Sequence, residues 1–397
     1  MTSELTAAEW EQINRTFAAA PQRYGFPRRE YGSALLGSFN IRKLGKRSSR
    51  SANTWQFLAQ LCRQFDLLSI QEIMDDLEGF NHLQQLMGTD FRAIVSDRTG
   101  VFPGERGLGE RLGFLYNSRI IERGDVVSDI SFDRSKLIAT VIEHYEVLRE
   151  ELMPYLRYLD AHRDWQRSPS GPEPQPPRVQ VPVFLTFIRQ PFCASFRIVG
   201  HPGSEPYRLM AVNAHLYFGN SVADRRQEFD ALMRWIMGRV REKDRAYYPN
   251  FVLLGDLNLD FDNPKTDRDR ITAHIKGYDR DDADFQVYFP FLDPHPDSGQ
   301  LYRTNARLRE TFDHIGFFSH DRRLPQAATH PTMGRQIHGP DYGMINFVQL
   351  FNDALNQRPL AELTKAEKRR FYRKFEHEVS DHMPIWVRLP LPPEQDL

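Results

Sequence analysis

The chain has 397 residues, 40% of them hydrophobic and 26% charged, an ordinary balance for a soluble globular protein long enough to bury a sizeable core. Its 52 Lys and Arg nearly cancel its 53 Asp and Glu, so bulk charge neither demands nor excludes a polyanionic partner, and any attraction for phosphate has to be local. Two cysteines, Cys62 and Cys193, cannot build a disulfide framework, and no Cys/His cluster suggests zinc. The N-terminal residues lack the apolar core of a signal peptide and no stretch reaches the length of a membrane span, so a reducing, cytoplasmic setting is expected.

In chain order, the apolar segments read mostly as short strands that end in polar residues. Ala34 to Phe39 runs into Asn40, and Leu67 to Ile70 runs into Gln71-Glu72, with a helix around Trp55, Leu58 and Leu61 joining the two. Phe91 to Val95 and Gly113 to Tyr116 read as further strands. Ile142, Tyr145, Leu148, Leu152, Tyr155 and Leu159 recur at helical spacing over 138–160. The Pro-rich segment from Ser168 to Pro177 that follows is too poor in apolar groups to fold alone. Val183 to Ile188, Ala194 to Val199 and Leu209 to Val212 read as strands, the last leading into Asn213-Ala214-His215. A helix from Ser221 to Lys243 carries Phe229, Leu232, Met233, Ile236 and Val240 on one face, with Ser221 as its cap. Phe251 to Leu254 leads into Gly255-Asp256-Leu257-Asn258, and Thr311 to Phe318 contains Asp313. A basic helix spans Lys365 to Lys374, and Ser380-Asp381-His382-Met383-Pro384 precedes the strand Ile385 to Leu389.

Strands that alternate with helices early and pair as hairpins later predict an α/β fold with mixed sheets, two of them packed face to face with helices outside. The expected organisation is a single domain over 1–397, its core from about 31 to 390, carrying additions near 135–180 and 320–376. Cys62 falls in a helix and Cys193 in a strand, which predicts buried thiols.

The chemistry sits at strand ends: Asn40, Glu72, Asn213, His215, Asp256, Asn258, Asp313, Asp381 and His382. One such residue is ordinary turn chemistry, whereas nine at separate strand ends predict one common mouth. Acid, amide and imidazole together are what a hydrolytic site needs if it holds a hard cation and moves a proton.

The strings Ser38-Phe39-Asn40-Ile41-Arg42, Ser69-Ile70-Gln71-Glu72, Asn213-Ala214-His215-Leu216, Gly255-Asp256-Leu257-Asn258, Thr311-Phe312-Asp313-His314-Ile315 and Ser380-Asp381-His382-Met383-Pro384 occur in a recognisable order. In that order, and over nearly the whole chain apart from the two additions, the sequence resembles the endonuclease/exonuclease/phosphatase superfamily. Arg189-Gln190-Pro191 ahead of Cys193 to Val199, and Glu110-Arg111 ahead of Gly113 to Tyr116, are similar to strings of its deoxyribonuclease I branch. The resemblance implies a four-layer α/β sandwich, two packed mixed β-sheets flanked by helices. It also implies that Glu72, with Asn40 and Asp381 close by, holds Mg²⁺ or Mn²⁺, hard cations that suit a set of oxygen donors without cysteine. Asp256 and Asn258 would flank the scissile phosphate and orient a water or a second ion. His382 paired with Asp313 would take the proton from that water, and His215 oriented by Glu110 would face the leaving oxygen. Arg189 and the metal would stabilise charge on the phosphoryl oxygens.

The departures from that branch concern substrate. Met74 stands where the branch places an arginine used on DNA, Leu108 stands where it places a tyrosine, and its disulfide cysteines are absent. The segment from Arg42 to Arg50 supplies a replacement, with five cations (Arg42, Lys43, Lys46, Arg47 and Arg50) just past Asn40 that suit a nucleic-acid backbone. The expected activity is a metal-dependent nuclease hydrolysing DNA with little sequence specificity. A phosphatase or phosphodiesterase acting on a phosphorylated small molecule or lipid head group is the alternative, and a non-catalytic binding module the third. No protein partner is implied.

Overall fold

The strands that read as continuous apolar runs are the central ones of two mixed sheets, buried on both faces. The structure, a computed structural model, describes residues 4–29, 32–98, 109–131, 134–177, 179, 183–199, 206–216, 222–241, 248, 250–258, 272–273, 275, 277, 286–292, 294–295, 299–320 and 342–390. The first sheet contains β1 (Ser33–Leu44), β2 (Leu67–Met74), β3 (Phe91–Val95), β4 (Glu110–Asn117), β11 (Tyr342–Met344) and β12 (Ile385–Pro390), in the order β11-β12-β1-β2-β4-β3. The second contains β5 (Ile121–Asp129), β6 (Phe192–Ile198), β7 (Tyr207–His215), β8 (Phe251–Asp256), β9 (Gln286–Tyr288) and β10 (Asp313–Ser319), in the order β5-β6-β7-β8-β10-β9.

Each sheet has one parallel pair, β1 with β2 and β7 with β8. A parallel pair needs a crossover, and helices supply it: α2 (Ala52–Cys62) between β1 and β2, and α6 (Val222–Arg241) between β7 and β8. The C-terminal ends of these four strands therefore share an edge with the starts of their antiparallel neighbours β4, β10 and β12. That edge is where the sequence placed its polar residues.

Aromatic and aliphatic side chains fill the space between the sheets, with Phe114 of β4 meeting Phe192 and Phe196 of β6 at ring distances of 5.8 and 5.4 Å. The same core extends to α1 (Ala7–Ala19), α2, α3 (Glu78–Met87), α7 (Phe347–Leu355) and α8 (Lys365–Phe375). A second cluster joins α6 to the outer face of β7 and β8 through Phe229, Leu232, Ile236, Val212 and Leu253. Two six-stranded sheets between helices make the expected four-layer α/β sandwich, with eight helices among the described residues.

The helices start where local chemistry says. Ser51 caps α2 by accepting from Thr54 N at 3.2 Å, and Thr6 and Thr364 form capping boxes with Glu9 and Glu367 at the starts of α1 and α8. Cys62 and Cys193 are buried free thiols, and burial pushes both up in pKa.

Some expectations are corrected. Val183 to Ile188 is irregular chain, because Phe187 inserts into the second cluster and Ile188 N donates to Glu228 Oε1 at 2.8 Å instead of to a strand. The helix expected over 138–160 is two helices, α4 (Arg134–Glu143) and α5 (Tyr145–Arg167), with Leu148 as their one buried residue. The Pro-rich segment, not expected to fold alone, lies against α5, with Trp165 Nε1 donating to Gly171 O at 3.3 Å and His162 Nε2 3.1 Å from Glu173 Oε1. Within 320–376, β11 pairs with β12 and α7 packs its apolar face into the main core, while 321–341 lie outside the described residues. Ser221, the expected cap, and Leu108 also lie outside them.

Candidate active site

Strand register alone lays the first three groups side by side. Asp256 at the end of β8 pairs with His215 at the end of β7 on one side and with Asp313 at the start of β10 on the other. The residue before it, Gly255, has φ of +158°, and a Cβ there would lie 1.9 Å from Ala214 O, so only glycine lets β8 approach β7 this closely. Asp256 is 1% exposed. Its Oδ2 accepts from Asn40 Nδ2 at 3.0 Å and lies 3.6 Å from both His215 Nε2 and His382 Nε2, while its Oδ1 accepts from Asn258 N at 3.0 Å.

Each imidazole has a carboxylate on its far nitrogen. His382 Nδ1 is 2.8 Å from Asp313 Oδ2, and Asp313 N donates to Thr304 Oγ1 at 3.0 Å. Burial works against a charged His382, but Asp313, then Asp256, and Asp381 hold its pKa well above 6.5. His215 Nδ1 is 3.0 Å from Glu110 Oε2, an ion-pair distance without hydrogen-bond alignment. Burial raises the pKa of Glu110, and His215 followed by Arg189 more than offsets it, leaving the carboxyl below its ordinary value.

Arg189 is buried against Glu110. Its Nε donates to Glu110 Oε2 at 2.6 Å, its Nη2 to Glu110 Oε1 at 3.4 Å and its Nη1 to Leu216 O at 3.3 Å. The guanidinium is almost fully buried and holds Glu110 in that fork.

Within its own sheet, Asn40 Nδ2 also donates to Glu72 Oε1 at 3.1 Å, so one amide links Glu72 to Asp256 of the other sheet. Glu72 and Asn258 both adopt left-handed backbone, with φ of +59° and +49°. Non-glycine residues held there are uncommon and concentrate at functional sites. A family model described as "Endonuclease/Exonuclease/phosphatase family" matches residues 37–382. The chain belongs to that family.

Members of that family hydrolyse phosphate esters and depend on divalent metal ions. A deoxyribonuclease from Thioalkalivibrio sp. (strain K90mix) is 25% identical over 232 residues, covering 56% of this chain and 46% of the relative. The chain thus spans less than half the length of that curated relative. Among solved structures, the catalytic domain of human Nocturnin is 10% identical at a TM-score of 0.46, over 92% of this chain and 97% of that one. A family member from Bacteroides thetaiotaomicron is 12% identical at 0.45, over 91% and 98%.

The donor set fits the cation that the family uses. Asn40 Oδ1 and Asp381 Oδ1 are buried without a hydrogen-bond partner among the described residues, which is costly for an oxygen unless something else satisfies it. Glu72 faces the same Asn40 side chain. Burial raises the pKa of Asp381, and His382 and Arg42 counter that only in part. Asp256, Asp313 and His382 form a second grouping whose ligand atoms lie within 4.8 Å of one another. Asn258 donates its side-chain amide to Leu216 O at 3.0 Å, and His314 is buried behind the site against Thr311 O at 3.1 Å.

Of the five cations after Asn40, three are exposed: Lys43, Lys46 and Arg47. Arg42 pairs with Asp381 at 3.1 Å. Arg50 is buried, donating to the carbonyls of Glu378, Lys43 and Arg42, and burial lowers its pKa to about 10. Several supporting residues carried no role in the sequence reading. Ser380 Oγ donates to Asn40 O at 2.6 Å and accepts from His382 N at 3.1 Å, tying β1 to the His382 turn. Arg225 Nη1 reaches Asn258 O at 3.0 Å from α6. Ser380 stood inside a quoted string, whereas nothing in the local sequence marked Thr304 or Arg225.

Proposed function

We propose that the protein is a divalent-metal-dependent phosphodiesterase, a nuclease acting on DNA with little sequence specificity. The observation that carries this reading is the pair of imidazoles facing each other across Asp256, each 3.6 Å from its Oδ2 and each backed by its own carboxylate. Diester cleavage needs one group to take a proton from water and another to give one to the leaving alkoxide. His382, held by Asp313, is the base. Its raised pKa puts the deprotonation that this duty requires on the alkaline side of 6.5. His215, held by Glu110 and through it by Arg189, is the acid. Asp256 and Asn258 orient the water and the phosphate between them.

Asn40, Glu72 and Asp381 would hold Mg²⁺ or Mn²⁺, which supplies positive charge against the phosphoryl oxygens when bound. The deoxyribonuclease relative supports DNA as the substrate, and exposed Lys43, Lys46 and Arg47 beside the mouth support a polyanion. Two free, buried cysteines support a reducing cytoplasm, and a core running from Leu5 to Leu389 supports one domain carrying 135–180 and 320–376 as additions.

The test is a cleavage screen on supercoiled DNA, single-stranded DNA, RNA and a phosphomonoester with Mg²⁺ or Mn²⁺, run beside His382→Ala. DNA cleavage that His382→Ala abolishes is the expected outcome. A variant that cleaves as well as the parent, or no cleavage of any DNA, sinks the reading. One observation favours a second substrate class: Arg42, Arg50 and Arg189 are all engaged by the protein itself, and Met74 adds no charge. Release of inorganic phosphate without DNA cleavage identifies the protein as a phosphatase of small phosphate esters.

A further inference from the structure

Four polar residues of the motif strings take no part in the chemistry above: Ser38, Ser69, Gln71 and Asn213. All are 0% exposed and lie between the two sheets. Gln71 Nε2 donates to Asn213 Oδ1 at 2.7 Å, with Ser69 Oγ at 3.2 Å and Ser38 Oγ at 3.4 Å around it. Ser69 Oγ in turn donates to Ser38 Oγ at 3.0 Å. Asn213 Nδ2 donates to Ile70 O at 3.0 Å and Gly113 O at 2.8 Å. Polar groups are expensive in an apolar interior unless paired, and a paired network specifies one arrangement of the elements it joins.

The arrangement specified here involves β2. Ile70 and Gly113 are the last register partners before the β2–β4 ladder shifts, and pairing resumes at Ile73 and Arg111. Glu72 stands in that interruption, with φ of +59°. A bulge disrupts the cross-strand ladder locally, and the two carbonyls at its edge are the ones Asn213 engages from the other sheet. His215 follows two residues later on the same face of β7, and Gln71 is the neighbour of Glu72.

We propose that Asn213 is a positioning residue that holds the β2 bulge, and with it the Glu72 carboxylate, in fixed relation to His215, while Gln71 locks the orientation of its amide. The side chain has to be an amide. It offers two N–H groups to two carbonyls and one oxygen to Gln71, whereas aspartate would set a carboxylate oxygen against both carbonyls. The inference rests on Glu72 being a metal ligand.

The test compares Mn²⁺ affinity by calorimetry in the parent, Asn213→Ala and Asn250→Ala. Asn250 is a matched buried amide at the far end of β8, donating to Arg208 O at 3.1 Å and accepting from Ser319 Oγ at 3.1 Å. Asn213→Ala is expected to bind Mn²⁺ about 10-fold more weakly, as loss of an outer-sphere support does. Its kcat on bis(p-nitrophenyl) phosphate should fall roughly 100-fold with KM little changed. Asn250→Ala should bind Mn²⁺ like the parent. If Asn213→Ala does not fold, Gln71→Met, which keeps both carbonyl bonds, carries the test with an expected loss of about 3-fold or more in Mn²⁺ affinity. Parent-like affinity in the variant tested, or equal weakening in Asn250→Ala, overturns the proposal. A parent that takes up no Mn²⁺ overturns the metal reading itself, an outcome visible before any substitution is compared.

Discussion

Replacing Arg189 with methionine strips a cation from a carboxylate that has no water to turn to. The two side chains are 4% and 6% exposed, with Nε 2.6 Å from Oε2. At about 3 Å and an effective dielectric near 20, the attraction between unit charges is about 5 kcal/mol. Removing one partner of a buried pair costs roughly 3–5 kcal/mol by comparison with measured cases. His215, 3.0 Å from the same oxygen, keeps part of the compensation, which places the expected loss at the lower end, about 3 kcal/mol. Arg189→Lys should lose less, because it keeps the charge and gives up only the fork. The assay is urea denaturation in metal-free buffer, reading the midpoint at constant m-value. The double variant Arg189→Met/Glu110→Leu should recover most of the loss, since it leaves no charge buried alone. An Arg189→Met protein as stable as the parent, with KM for a phosphodiester raised instead, would refute the reasoning and return the guanidinium to the substrate.

Asp313→Asn should bring the His382 pKa down toward 6.5, measured by NMR titration of the metal-free protein. A histidine pKa raised by folding stabilises fully below the unfolded-state value and loses that contribution as pH rises through the folded value. Parent stability should therefore fall from neutral to alkaline pH, and that slope should flatten in Asp313→Asn. Mn²⁺ at about 100 times its Kd should raise unfolding stability by about 2.7 kcal/mol, and a chelator should abolish the gain in a thermal scan. Lys46→Ala and Arg47→Ala should each lower the salt slope of oligonucleotide binding by about 1 without loss of stability. Arg50→Ala, which removes bonds to three backbone carbonyls, should cost roughly 2–4 kcal/mol in urea titrations and leave the slope as it was.

Much of the fold was legible because strand and helix patterns are local. Apolar runs ending in Asn40, Glu72, His215 and Asp256 marked the central strands, and the order of those ends gave the family. The edge strand β5 left no such trace, since most of its residues face water and its sequence, Ile121 to Asp129, reads as polar. Val183 to Ile188 left a false one, because an apolar run looks the same whether a ladder or a core pocket takes it up.

The chain by itself determined which groups stand at the strand ends: two imidazoles, several acids and an amide-rich set of oxygen donors. Tertiary structure decided what each cation and buried amide is for. Arg50 is tied to Glu378 O, Arg42 to Asp381 and Arg189 to Glu110, and Asn213 crosses from one sheet to a bulge in the other. Those partners lie 79 to 339 positions away along the chain. Charge and amide character are written in the residue, but whether they face solvent or another buried group depends on distances that exist only once the two sheets have packed.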